Sequence, residues 1–378
     1  MSALMKTSEP DSKISLFSEF AGCTGNFGTV LPLLFAVSVA SGMNLSLMLL
    51  WAAIWYVISG VYYKIPVPIE PFKAVGAIAI AEHISSQIIA ASGIITGALC
   101  LLIGMFGFMD RIQKIIPQAV IRGVQLGLAF IFIRSAIQGF ILPDLTFGII
   151  AGIIIAVFFL LKKYKNITDY SSLLIITAGF GFAIFIAGFH GPLIVPVPAL
   201  VIPDLQEFYT AAIIIVPAQI PLTLTNAVLA TSLLISDLFK RDENPDKLSK
   251  TIGIMSITSS ILGGFPMCHG AGGLAAHFRF GARGGLSMIF GGVILAFIAF
   301  ICAYPDIVAA LPRGMFGILL IAVAIELIRH AIKTNNQFVT AIIGVLALPF
   351  GLAIAFFAGL ITAWVITWHQ SAQQKISK

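Results

Sequence analysis

The sequence predicts an all-α polytopic membrane protein made of two inverted seven-span repeats, each holding one broken segment. Three observations carry that prediction. Hydrophobic residues make up 59% of the 378 and charged residues 10%, with a mean hydropathy of +1.03; a soluble domain carries about 25% charged residues. Apolar stretches near the ~20 residues that cross ~30 Å of hydrocarbon recur along the chain. Two of them are interrupted by proline- or glycine-rich runs at matching places in the two halves. A transmembrane β-barrel would show alternation in ~10-residue pieces, which these segments lack.

Residues 1–18 are polar, with Glu9 and Asp11 among the lysines, and have no apolar signal-peptide core. They are expected to be a cytoplasmic tail. Span one is expected from about Phe20 to Ser41 and contains Gly25-Asn26-Phe27-Gly28-Thr29; span two runs from about Leu45 to Tyr63. The run Ile65-Pro66-Val67-Pro68-Ile69-Glu70-Pro71-Phe72-Lys73 follows, then helix-forming residues 74–84. Its prolines force an extended entry, and Pro71 suits the first turn of the helix. This is the first break, extended chain leading into a half-helix.

Spans four to seven are expected at about Ile88–Phe108, Pro117–Phe140, Phe147–Leu161 and Leu173–Phe189, with a four-proline linker over Pro192–Glu207. Span eight covers about Ala211–Leu238 and holds Pro217-Ala218-Gln219-Ile220-Pro221-Leu222-Thr223-Leu224-Thr225-Asn226. The charged stretch Phe239–Lys250, with Asp237 before it, reads as a solvated cytoplasmic loop. Span nine is about Thr251–Leu262. Span ten is the second break, Gly263-Gly264-Phe265-Pro266-Met267-Cys268-His269-Gly270-Ala271-Gly272-Gly273-Leu274-Ala275. Spans eleven to fourteen fall at about Leu286–Ala303, Pro312–Ile328, Phe338–Pro349 and Leu352–Trp368.

Pro71 to Pro117 is 46 residues, and so is Pro266 to Pro312. Arg134 and Arg329 each lie 17 residues beyond the later proline. A shift of 195 residues therefore overlays a first repeat, 19–200, on a second, 201–370, with a tail at 371–378. Seven spans per repeat make the repeats inverted, and paired interrupted segments are the best sequence pointer to a transporter binding site. Of 22 Lys and Arg residues, Arg134 and Arg313 fall outside and Lys73 within the membrane. The other 19 (22 minus 3), Arg111 and Lys114 among them, fall on the cytoplasmic side, as the positive-inside rule asks. Both termini are then cytoplasmic, and the net charge of +6 requires no nucleic acid.

Irregular backbone survives at bilayer depth only where protein buries it or it lines a cavity. A half-helix start there aims unpaired N–H groups and a positive dipole end at that cavity, which suits an anion. Lys73 and Glu70 stand at the first such start. Either Lys73 attracts an anion while Glu70 tunes the site or takes up a proton, or the two form a structural pair. His269, with Cys268, is expected to begin the second half-helix, as a ligand contact or as a buried donor to a carbonyl. Gly270 permits close backbone approach, and Gly273 suits tight helix packing. Gln219, Thr223 and Asn226 share one helical face; with Asn26 and Thr29 of span one they either bond an oxyanion or join helices. Glu326 either couples protons or pairs with Arg329. Cys23, Cys100, Cys268 and Cys302 are single, with no metal or disulfide spacing. No cofactor is expected, and the ATP pattern Gly-x4-Gly-Lys-[Ser/Thr] does not occur.

The runs Gly263–Ala275, Pro217–Asn226, Pro66–Lys73 and Gly25–Pro32 together resemble the molybdate transporter family, a branch related to the sulfate permeases. The resemblance implies a uracil-permease-like fold with core and gate domains. It also implies a substrate site between spans one, three, eight and ten; the soluble regulatory domain that usually ends the sulfate permeases is expected to be absent, since the sequence stops soon after Trp368. Two positions depart from the family pattern: Asn26 stands where an Asp is expected, and Glu70 where a Gln is expected. The expected activity is secondary transport of a tetrahedral oxyanion, molybdate first, with tungstate or sulfate open. The protein would be multi-pass in the lipid of the plasma membrane, and a homodimer is left open because relatives often dimerise. A sulfate or organic-anion permease, an anion channel and an intramembrane enzyme are the rivals. The last lacks a paired acid/base or metal set.

Overall fold

The computed structural model of the chain describes residues 16–109, 117–165, 169–190, 195–198 and 200–376. Most of the expected N-terminal tail, residues 192–194 and 199 of the expected linker, Arg111, Lys114 and Lys378 lie outside the described residues.

Helices α1 (Leu16–Gly22), α2 (Phe27–Ser41) and α3 (Leu45–Tyr63) lead into a two-residue strand, β1 (Glu70–Pro71), and the half-helix α4 (Lys73–Glu82). Then come α5 (Ser86–Phe106), α6 (Gln118–Ser135), α7 (Leu145–Lys165) and α8 (Ser171–Ala187). In the second half, α9 (Leu205–Ile214), α10 (Val216–Leu222), a π-helical stretch Thr223–Leu229 and α11 (Ala230–Phe239) follow one another. They precede α12 (Pro245–Ile261), strand β2 (Met267–Cys268) and the half-helix α13 (Ala271–Arg279). The chain continues through α14 (Leu286–Ile301), α15 (Pro305–Ala309), α16 (Arg313–Ala331), α17 (Gln337–Phe350) and α18 (Leu352–Ile376). Each of the fourteen expected segments contains a helix among the described residues. Six stretches among them are long and apolar enough to cross a membrane unaided.

Local chemistry sets many of the boundaries. Asn44 Oδ1 accepts from Leu47 N at 3.0 Å and Ser85 Oγ from Ile88 N at 3.3 Å, so each caps the helix that follows. Gly42 and Gly107 end α2 and α5 in the left-handed region, at φ +72° and +69°. Pro117 and Pro312 occupy the N-cap positions of α6 and α16, the matched places that the 195-residue shift requires.

The same shift carries α3 onto α12 and α5 onto α14. In the fold α3 packs on α14 and α5 packs on α12, so one interface recurs as the shifted copy of the other. Both seams are lined by small residues that let backbones touch. Gly60 lies against Gly285, and a methyl group on Gly97 would stand 2.9 Å from Gly253 O. These helices form one group. A second group packs α6 against α16 and α17, and α7 against α16. Helices α2 and α4 lie between the groups, α2 on α16 and α4 on α6.

Several expectations need correction. Span one is two helices, α1 and α2, parted at residues 23–26, where Gly25 abuts the His277 backbone and Asn26 turns to side-chain bonding. Pro71 lies in β1 and not in the first turn of α4. Cys268 lies in β2, and α13 begins at Ala271 with Gly270 as its N-cap, so neither Cys268 nor His269 starts that helix. Helix α12 starts at Pro245, six residues early, because Asn244 Oδ1 caps it through Asp246 N at 2.8 Å. The charged stretch before it is not wholly solvated. Glu243 is buried, with ion pairs to Arg241 at 3.0 Å and Lys247 at 2.6 Å.

Candidate functional site

The two broken segments meet. Strands β1 and β2 pair antiparallel, Glu70 opposite Cys268 and Pro71 opposite Met267. Phe72 N donates to Pro266 O at 3.0 Å. Half-helices α4 and α13 leave this crossing, and His269 braces it. Its Nδ1 lies 2.9 Å from Pro68 O and its Nε2 2.8 Å from Thr251 Oγ1. A carbonyl can only accept, so Nδ1 carries the hydrogen and Nε2 accepts from the threonine hydroxyl. Tyr63 OH lies 2.6 Å from that hydroxyl, and Thr231 Oγ1 donates to His269 O at 2.7 Å. Both ring nitrogens are engaged within the protein and the side chain is 1% exposed, the arrangement of a buried donor to a carbonyl.

The α4 end is closed by the protein itself. Gln219 Oε1 accepts from Ala74 N at 3.0 Å and Val75 N at 3.3 Å. Its Nε2 donates to Thr223 Oγ1 at 2.8 Å. Gln219 is thus a remote cap for α4, and Thr223 holds it in place. Of the expected shared face of Gln219, Thr223 and Asn226, the first two residues meet, while Asn226 lies within the π-helical stretch that begins at Thr223 and changes the turn. Asn226 points elsewhere. It lines a small cavity with Lys73, Gln125, Gly272, Glu326 and His330.

The α13 end is open. No side chain among the described residues bonds its first-turn N–H groups, and its first turn is rich in glycine. Acidic groups approach that bare backbone from two sides. A methyl group on Gly270 would collide with the Glu70 carboxylate. One on Gly273 would meet the same carboxylate, Pro68 Cβ at 2.9 Å and Asn26 Nδ2 at 3.2 Å. One on Gly272 would stand 2.6 Å from Glu326 Oε1. Gly273 therefore serves close approach of side chains, not the helix packing expected of it. Glu70 is 1% exposed and pairs with Lys73, Oε2 to Nζ at 2.7 Å. The expected Glu326–Arg329 pair is not among the ion pairs of the described residues.

Asn26 completes this wall. Its Nδ2 donates to Ile69 O at 3.1 Å, and its Oδ1 accepts from Tyr56 OH. The two departures from the family pattern, positions 26 and 70, thus converge beside Gly273. A cavity of about 200 Å3 opens from there. Its lining includes Asn26, Thr29, Gly272, Gly273 and Glu326, and also Ser171, Ser172, Asp169 and Arg279. The last four were not singled out from the sequence. Arg279 counted only as a topology charge, and serines at a helix start carry no distinguishing signal. Tyr56 was also missed, although a hydroxyl in an apolar span needs a partner. A larger cavity, about 610 Å3, lies at the other end of α4 beside Glu82, His83 and Arg134. It touches none of the expected site residues.

Comparison with known proteins gives this geometry a family. The sequence profile described as "Molybdate transporter of MFS superfamily" matches residues 18–132 and 211–327, two segments offset by 193 residues (211 minus 18). Molybdate transporter 2 of Arabidopsis thaliana is 29% identical, over 86% of this chain and 81% of its own. Molybdate transporter 1 of the same plant is 28% identical, over 94% and 89%. A putative sulfate transporter of Bacillus subtilis, YbaR, is 23% identical over 65% of this chain and 52% of its own. Among solved structures, the transmembrane domain of the cyanobacterial bicarbonate transporter BicA superposes with a TM-score of 0.65. That match has 17% identity and covers 92% of this chain and 97% of that one. The murine anion transporter Slc26a9, in its inward-facing state, gives a TM-score of 0.69 at 12% identity, over 98% and 70%. These neighbours share the seven-plus-seven inverted-repeat fold, not the two six-span halves of the major facilitator architecture named in the profile. The profile covers more than half of the chain, which therefore belongs to the molybdate transporter family and is a multi-pass membrane transporter of anions, not an enzyme.

Proposed function

We propose that the chain is a secondary active transporter of a tetrahedral oxyanion, molybdate first, working by alternating access. The observation that carries this reading is the bare first turn of α13, opening on the cavity beside Asn26 and Thr29. Unpaired N–H groups at a helix start, with the positive end of its dipole, attract an oxyanion. Lys73, across from Gly272 in the adjoining small cavity, supplies a charge, and Asn226 a polar edge. Arg279, an exposed residue of the cavity lining, draws anions in.

The charge bias puts the Arg279 end of the molecule in the cytoplasm and the Arg134 end outside. Both termini are then cytoplasmic and the membrane is the plasma membrane. The cavity at α13 is the inward-open one, and the group of α6, α7, α16 and α17 moves against the group of α3, α5, α12 and α14. The repeats span 19–200 and 201–370. Sulfate is the second candidate substrate, because a putative sulfate transporter is among the relatives.

Uptake of radiolabelled molybdate into proteoliposomes tests the reading, with and without a pH gradient and against excess sulfate or tungstate. Accumulation that tungstate suppresses and sulfate leaves largely intact is expected. Sulfate suppressing it as strongly would move the assignment to sulfate, and passive current far above carrier rates would contradict a carrier altogether.

A further inference from the structure

We infer that Glu70 is a tethered resident anion. Its carboxylate holds the seat at the first turn of α13 that an incoming oxyanion must take. The inference rests on the anion site proposed above. The carboxylate abuts Gly270 and Gly273 and is ion-paired with Lys73 at 2.7 Å. These are the attractions a substrate anion would use, the helix end and the one nearby ammonium. Glu326 reaches the same turn at Gly272, from the other wall. Lys73, Glu70 and Glu326 ionised together sum to a charge of −1, so a dianion arriving beside all three would be repelled. Substrate therefore binds by taking Lys73 from Glu70 and by reaching the α13 N–H groups beside that carboxylate, and the negative charge of Glu70 sets how tightly it can do so. Tyr56 on α3, Cys268 on β2 and His277 on α13 are the other titratable groups within electrostatic reach of Glu70. Among the described residues none of them is ion-paired with Glu70, and His277 Nδ1 lies 2.8 Å from Gly22 O.

Asn26 makes the idea separable from a structural role. Its Nδ2 shares the Gly273 contact with Glu70, so a carboxylate at position 26 occupies the same neighbourhood. The experiment titrates the purified full-length protein in detergent with molybdate, then with tungstate and sulfate, by calorimetry. Glu70→Gln keeps the side-chain length and can still accept from Lys73 while losing the charge. It is expected to bind molybdate about tenfold tighter or more, the scale of a close charge interaction. Adding Asn26→Asp to Glu70→Gln is expected to return the affinity to near the wild-type value. Equal or weaker binding by a folded Glu70→Gln protein overturns the inference, and so does failure of Asn26→Asp to weaken it again. If Glu70→Gln does not yield folded protein, Glu70→Asp withdraws the carboxylate by one methylene and must bind tighter than wild type. No binding of any of the three anions by wild type and Glu70→Gln alike would overturn the site as well as the tether. Binding by wild type that Glu70→Gln fails to tighten would overturn the tether alone.

Discussion

The two half-helix starts are related by the repeat yet built for opposite ends. At α4, Gln219 closes the first N–H groups, and the residues that match Gly270, Gly272 and Gly273 by position from the helix start are Phe72, Ala74 and Val75, all buried. At α13 the same places are bare glycine, and side chains of α2, β1 and α16 gather around them. An inverted repeat thus supplies two dipole ends and needs only one for the ligand. The other becomes a fixed part of the scaffold, anchored by a residue 145 positions away.

This contrast can be broken in order of effect. Gly272→Leu fills the backbone approach at α13; uptake should fall to background while the size-exclusion profile persists. Uptake surviving that change would move the ligand away from α13. Lys73→Met leaves the buried Glu70 carboxylate without its partner and should destabilise by about 3–5 kcal/mol. Thermal unfolding in detergent checks this, and adding Glu70→Gln should recover most of the loss. Gln219→Leu strands two buried N–H donors at α4 and should cost about 1–3 kcal/mol, read the same way, with molybdate affinity unchanged. A selective loss of affinity there would mean that the α4 end also meets the anion. His269→Gln, which keeps part of the brace between Pro68 and Thr251, should cost about 1 kcal/mol and leave affinity as it is.

Much of the architecture could be read before any coordinates. Prolines at 71, 117, 266 and 312 announced the repeat, because proline cannot continue a helix and leaves its mark in the sequence itself. Span two was placed residue for residue, Leu45–Tyr63, between Asn44 and a left-handed Lys64. The meeting of Glu70 and Lys73 with the second break also followed from the repeat, and the place of Asn26 beside them from the family resemblance. What stayed hidden depends on distant partners. Gln219 looked like a ligand because its donors, Ala74 N and Val75 N, lie in the other half of the chain, and Thr223 because its partner is Gln219 itself. His269 looked like one because Pro68, 201 residues away, satisfies it. The π-helical stretch at Thr223–Leu229 holds Asn226 and contains no proline or glycine itself, and Pro221 before it marks a break without giving its form. Polar residues in apolar spans advertise that they need partners, not which partners they have.

The central claim is that the oxyanion rests on the α13 end and not on the α4 end. Tungstate, whose heavy atom stands out in an electron-scattering or anomalous map, can be bound to the purified protein and located directly. The account predicts a single peak against the Gly272 and Gly273 N–H groups, between Asn26 and Lys73. A peak at Ala74 and Val75, or only in the cavity beside Arg134, would contradict it.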